Sequence, residues 1–135
     1  MDPSYLKTLW EQAQAGHKIE NTNLDLKEKW WDRGDSEFFK DICSMANNHS
    51  GDSYIIIGMD EGGNLKEAPI PEDEANIQQR LNSNVEPKIV FKNEEIELDG
   101  KTISVITIPH FTNRPHVLKN LNNLIPVRIG TSTAT

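Results

Sequence analysis

An α+β domain, a mixed β-sheet flanked by helices, is predicted by three features of this 135-residue chain. Tyr54 to Met59 is a continuous apolar run bounded by turn residues, the pattern of a strand buried on both faces. Just before it, Phe38, Phe39, Ile42, Cys43, Met45 and Ala46 recur at the three- and four-residue steps of an amphipathic helix. Further on, Asp99-Gly100 separates two strand-like runs, a strong hairpin signal. Helix and strand patterns alternate first and strands dominate later, which implies a mixed sheet in one domain over residues 1–135.

Residues 4–15 read as the first helix, with Ser4 as N-cap, Leu6, Leu9, Trp10 and Ala13 on one face, and Gly16 as the stop. The period then changes. Between Ile19 and Lys29, Leu24 and Leu26 alternate with Asp25 and Lys27, so a strand is expected with Asp25 and Lys27 on one face. Trp30, Trp31 and Arg33-Gly34-Asp35 interrupt it; of the adjacent tryptophans, at least one is expected to pack in the core, while base stacking is the competing role. Ser36 to Asn48 is the clearest helix, capped by Asp35. After the central strand, Asp60-Glu61-Gly62-Gly63-Asn64 is a turn, residues 72–83 form a helix with Ile77 and Leu81 on one face, and Ile89 to Leu98 pairs with Ile103 to Ile108. Leu124 to Ile129 is the last strand, and Pro126 implies that it lies at an edge or begins there. Gly130 to Thr135 resembles the approach to a further helix, so the chain is expected to be the N-terminal module of a longer protein.

Composition narrows the classes. Hydrophobic residues are 36% of the chain, which supports a modest core. No apolar run approaches the roughly 18 residues of a membrane span, and the start has no signal-peptide pattern. A cytoplasmic protein without membrane contact is the expectation. Cys43 is the only cysteine, so neither a disulfide framework nor a Cys-rich zinc site is available, and its place on the apolar helix face marks it as a small hydrophobe. The net charge is −7, but unevenly spread: residues 101–135 carry Lys101, Arg114, Lys119 and Arg128 with no acid, and residues 1–100 hold −11. Such a segment would steer a phosphate chain, or is ordinary solvated surface.

Three acids stand out: Glu20, Asp25 and Asp60. If the first and second strands are neighbours, the carboxyls can converge at one sheet edge, where a divalent cation would relieve their repulsion and bind phosphate oxygens. Mg²⁺ or Mn²⁺ would activate a water, and Lys27 would neutralise charge developing on the phosphate. The competing view is that 21 acids in one short chain will always contain a triple that looks arranged. Asp25-x-Lys27 also resembles half of a restriction-nuclease (D/E)-x-K motif.

Collinear motifs sharpen the choice. Glu20, Asp25-Leu26-Lys27, Ala46-Asn47-Asn48-His49-Ser50-Gly51 and Ile55-Ile56-Ile57-Gly58-Met59-Asp60 follow one another, then Arg114-Pro115-His116 and Val127-Arg128-Ile129-Gly130-Thr131-Ser132. This order resembles the Schlafen AlbA-type domain family, labelled as DNA-binding. The resemblance implies an AlbA/Schlafen-like fold and, from the Schlafen branch, a metal-dependent endoribonuclease acting on transfer or ribosomal RNA. Glu20, Asp25 and Asp60 would be the catalytic and metal-holding trio with Lys27 beside them, and Glu61 the substitute third acid. Lys27, Arg114, His116, Lys119 and Arg128 would hold the nucleic acid, RNA before DNA. Two departures stand against the pattern: Asp25 replaces the usual Glu, and Ser50 replaces the first glycine of a pair. The alternative function is a non-catalytic nucleic-acid-binding module of a larger regulator or defence protein. A homo-oligomer or an attached C-terminal domain is compatible with either.

Overall fold

The computed structural model describes residues 1–32, 35–48, 51–110 and 115–134, with the backbone alone at positions 35, 120, 133 and 134. Its elements in chain order are α1 (Pro3–Gln14), β1 (Leu24–Lys27), α2 (Asp35–Ala46), β2 (Ser53–Ile57), α3 (Glu74–Asn84), β3 (Val85–Glu86), β4 (Lys92–Leu98), β5 (Lys101–Ile108), β6 (Val117–Leu118), a 3-10 turn (Lys119–Leu121), β7 (Val127–Ile129) and β8 (Ser132–Ala134).

Four strands make the central sheet in the order β1-β2-β5-β4. Strand β1 runs parallel to β2, with Asp25 opposite Ile55 and Lys27 opposite Ile57. Their connection is the helix α2, as a parallel pair requires. The β2–β5 and β5–β4 pairs are antiparallel, so the sheet is mixed. The β4–β5 turn has positive φ at both Asp99 (50°) and Gly100 (77°), the backbone an Asp-Gly hairpin demands.

Alternation along β2 sends side chains into two separate cores. Ile55 and Ile57 join Ile106 and Ile108 beneath α2 and α3, packing on Phe38, Ile42, Ile77 and Leu81. Ile56 points the other way and joins Val105, Ile96 and Leu98 beneath Leu6, Leu9 and Ala13 of α1. The sheet is therefore covered on both faces. Each fully buried aliphatic side chain contributes about 1.5–3 kcal/mol. Trp10 is half-buried, and its indole Nε1 donates to the Gly63 carbonyl at 2.8 Å.

Several expected boundaries move for identifiable reasons. Helix α1 starts at Pro3 and is capped by Asp2, whose carboxylate accepts from both the backbone N and the Oγ of Ser4 at 2.9 Å. Proline at the first helical position favours that start over Ser4 as the cap. The strand expected between Ile19 and Lys29 shrinks to four residues, because Asn21 folds back to bridge Leu24. Residues 132–134 form β8, which pairs with β7, rather than the start of a helix. The expected cap by Asp35 concerns a side chain outside the described set.

Strand β7 turns its apolar residues outward. Val127 and Ile129 are exposed, as is Ile125 just before them, while the Arg128 side chain between them points into the protein. This hairpin closes on the first strand of the sheet, where the candidate site lies.

Candidate functional site

Strand β1 is at the edge of the sheet. The carbonyls of Asn23 and Lys27 accept from Tyr54 and Gly58 toward β2, so the N–H and C=O groups of Leu24 and Leu26 face the open side. Three of those outward groups are occupied locally. Leu24 N donates to the Asn21 carbonyl at 3.3 Å. Its carbonyl accepts from Arg128 Nη2 at 3.2 Å. Leu26 N donates to Glu20 Oε2, also at 3.2 Å.

Glu20 and Asp25 meet at this edge. Burial raises the Glu20 carboxyl pKa from 4.5 to about 7, assisted by its side-chain hydrogen bond to Asp25 and the like charges of Asp25 and Glu61; the Leu26 N–H pulls the other way. Near neutral pH a Glu20 carboxylic acid thus coexists with its carboxylate. Asp25 is itself buried, and its Oδ1 lies 3.4 Å from Arg128 Nη2. The Arg128 guanidinium, 3% exposed, also donates twice to the Asn21 carbonyl, at 3.1 and 3.2 Å. It therefore works as a clamp between β7 and β1.

Asp60 has a different fate. Its Oδ1 accepts from the backbone N–H groups of Gly62 (2.9 Å) and Asn64 (2.8 Å), and Oδ2 from Asn64 Nδ2 at 2.9 Å. These bonds, the Asn64 side chain's first, hold its pKa below the usual carboxylate range. The strands are neighbours as required, but the third carboxyl closes its own turn.

Glu20, Asp60, Glu61 and Glu28 nevertheless line one cavity of about 410 Å³. A second cavity, of about 280 Å³, shares Glu20, Leu26 and Glu61 with it and is walled by His17 and Lys18. Asp25 lines neither. Among the described residues, no three His, Cys, Asp or Glu side chains are grouped so as to hold a metal ion. Sequence spacing gave no sign of Glu28, His17 or Lys18, because their approach depends on how the chain turns into and out of β1.

The expected basic set is dispersed. Lys27 Nζ lies 3.1 Å from Asp41 Oδ2 and 5.5 Å from the Trp31 ring centroid, on the α2 side of β1. His116 is fully buried, with Nδ1 2.7 Å from the Pro87 carbonyl and its backbone held by Asn47. Lys119 is exposed on the 3-10 turn. Arg114 lies outside the described residues. Both tryptophans pack against the α2 core, so neither is wholly free for a ligand. Cys43 is buried beneath α2, its thiol pushed up to about 12 by burial.

Comparison with known proteins follows this geometry. The family model described as Schlafen, AlbA_2 matches residues 20–135. No curated protein matches. Among solved structures, the N-terminal domain of a RecG-related protein from Nitrosomonas europaea, provisionally assigned as an ATP-dependent DNA helicase, superposes with a TM-score of 0.61 at 19% identity, over 96% of this chain and 89% of that one. The DIP2311 protein of Corynebacterium diphtheriae gives 0.60 at 14% identity over 97% of this chain, which spans only 26% of that protein. At these identities the two structures establish the α+β fold alone. No helix among the described residues is long and apolar enough to cross a membrane.

Proposed function

Because the chain belongs to the Schlafen, AlbA_2 family, we propose that it is a nucleic-acid-processing domain, an endoribonuclease of transfer- or ribosomal-RNA type that depends on a divalent cation. The observation that carries this reading is the Glu20 carboxyl, pushed to about pH 7 by burial and by contact with Asp25. Two acids held this close at a sheet edge are poised to exchange a proton for a cation. The resemblance of the fold to a domain of a RecG-related protein is consistent with a role on nucleic acid.

The donors differ in their fit to such an ion. Glu20 and Asp25 fit, being adjacent and withdrawn from water, and Glu61 is near enough to raise the Glu20 pKa. Asp60 fits less well, since its own turn donates three hydrogen bonds to its two oxygens. Mg²⁺ or Mn²⁺ would be held by Glu20 and Asp25 with Glu61 as third acid, and would supply an activated water and neutralise charge on the phosphate. Glu20, titrating near neutrality, would take or return a proton at its carboxyl. Lys18 and His17, on the wall beside Glu20, would receive the neighbouring phosphate, with Lys119 as an outlying contact. Arg128 orients the site by holding Asp25, while Lys27, two residues further along β1, is paired with Asp41.

Incubation with transfer RNA and with supercoiled DNA, in Mn²⁺ and in EDTA, tests this. RNA cleavage that needs the metal and falls at least ten-fold in Glu20→Gln is expected. Cleavage that persists in EDTA, or an unchanged rate in Glu20→Gln, would refute it. One observation favours a second reading, a binding module that does not cut: Asp25 and Asp60 already have partners within the protein. That reading predicts binding that weakens steeply with salt and is indifferent to EDTA.

A further inference from the structure

The cleft beside the Trp30–Trp31 pair is not used by the site above. It is a cavity of about 230 Å³ between the β1–α2 connection and α3, lined by Trp30, Trp31 and Phe38, with Asp32, Glu72 and Arg80 also on its wall. We propose that it is a stacking subsite for one unpaired nucleobase of a single strand, which deepens the nucleic-acid reading and rests on it.

The walls are aromatic and fixed. Trp31 is anchored from behind by its Nε1, which donates to Asp41 Oδ2 at 2.8 Å, and from the side by Phe38, whose ring centroid is 4.9 Å away at an interplanar angle of 77°. Trp30 sits edge-on to Trp31 at 6.0 Å, and both indoles are only half-buried. Rings held in place and left partly open to solvent offer stacking without a further ordering cost. The volume lies below the roughly 300–1,000 Å³ of pockets for drug-sized ligands, so it suits one ring system. Arg80, paired with Glu72, supplies donors, and the carboxylates of Asp32 and Glu72 supply acceptors, the complement of a base edge. The Trp30 Nε1–H is buried with no acceptor among the described residues, a donor that a small rotation toward a bound base carbonyl would satisfy. Finally, Trp30 follows Asp25 by five residues, at most about 18 Å of extended chain. A base seated here would leave its strand within a few nucleotides of the Glu20–Asp25 pair.

The test is a tryptophan-fluorescence titration with a short single-stranded oligonucleotide and its abasic counterpart, in EDTA and low salt. Saturable quenching by the intact oligonucleotide is expected, with about ten-fold weaker binding of the abasic strand. Trp30→Leu should bind both strands alike, and Trp30→Phe should recover most of the difference; thermal unfolding checks that each variant is folded. Equal affinity of the intact protein for the two strands would overturn the subsite and leave the wider reading standing. No binding of either strand would overturn both. Quenching by a trimethyl-lysine peptide in place of the oligonucleotide would reassign the cleft to a cationic ligand and overturn the proposal.

Discussion

Replacing Glu20 by glutamine removes one titrating group while preserving the shape of the β1 edge. The amide can still accept from Leu26 N–H and can donate to Asp25, as the protonated acid does. In the native protein a carboxyl raised from 4.5 to about 7 stabilises the fold fully below pH 4.5 and loses that contribution as pH rises through 7. The unscreened value of such a rise is about 3 kcal/mol, and the solvent on one side of Glu20 reduces it to about 1 kcal/mol. The wild-type chain should therefore lose about 1 kcal/mol more than Glu20→Gln between pH 5 and pH 8. Urea midpoints at the two pH values would show it, as would a difference of roughly 3–5 °C in the fall of Tm. Every other titrating group is common to the two proteins and cancels to first order. Identical losses in both would refute the claim that Glu20 is held near neutrality by burial and by Asp25.

Gly58→Ala should destabilise by about 3 kcal/mol in urea unfolding, because its φ is 108° and an added Cβ would lie 2.6 Å from the Lys66 carbonyl and 2.9 Å from Ile103 Cδ1. Asn47→Ala should lose about 2–3 kcal/mol, measured the same way: its side chain accepts from His116 N at 2.6 Å and donates to the carbonyls of His116 (3.1 Å) and Pro126 (2.8 Å). Asp25→Ala should lose about 2 kcal/mol by stranding the Arg128 guanidinium, and Arg128→Met in the same chain should restore part of it. A cleavage assay on Asp25→Ala accordingly belongs well below that variant's Tm. Asp60→Asn should change stability by less than about 1 kcal/mol, since an amide can still accept through one oxygen in an exposed turn.

Periodicity made α2, β2 and the β4–β5 hairpin legible, because each buries a face whose spacing is written in consecutive residues. The closeness of Glu20 to Asp25 was also within reach, five residues apart across one tight turn. What alternation could not tell was which way β7 faces. Val127 and Ile129 lie outward and the Arg128 side chain inward, where its guanidinium donates to the carbonyls of Asn21 and Leu24. Asp60 has a local use as well. Asp-x-Gly-x-Asn is turn chemistry in which the acid serves its own backbone, a use that competes directly with ligand binding. His116 was expected to hold nucleic acid, whereas Asn47, 69 residues earlier, draws it inside. Such long-range pairings leave no local trace.

The occupied rim of β1 has a bearing on how this chain behaves among its own copies. A sheet border with free amides invites another chain to add a strand and start an aggregate. Here Asn21, Glu20 and Arg128 fill that border, and the opposite border strand, β4, carries Lys92, Glu94, Glu95 and Glu97. Any polypeptide that lengthens this sheet at β1 must first dislodge Arg128, so release of the terminal hairpin would be the step that exposes the molecule to self-association.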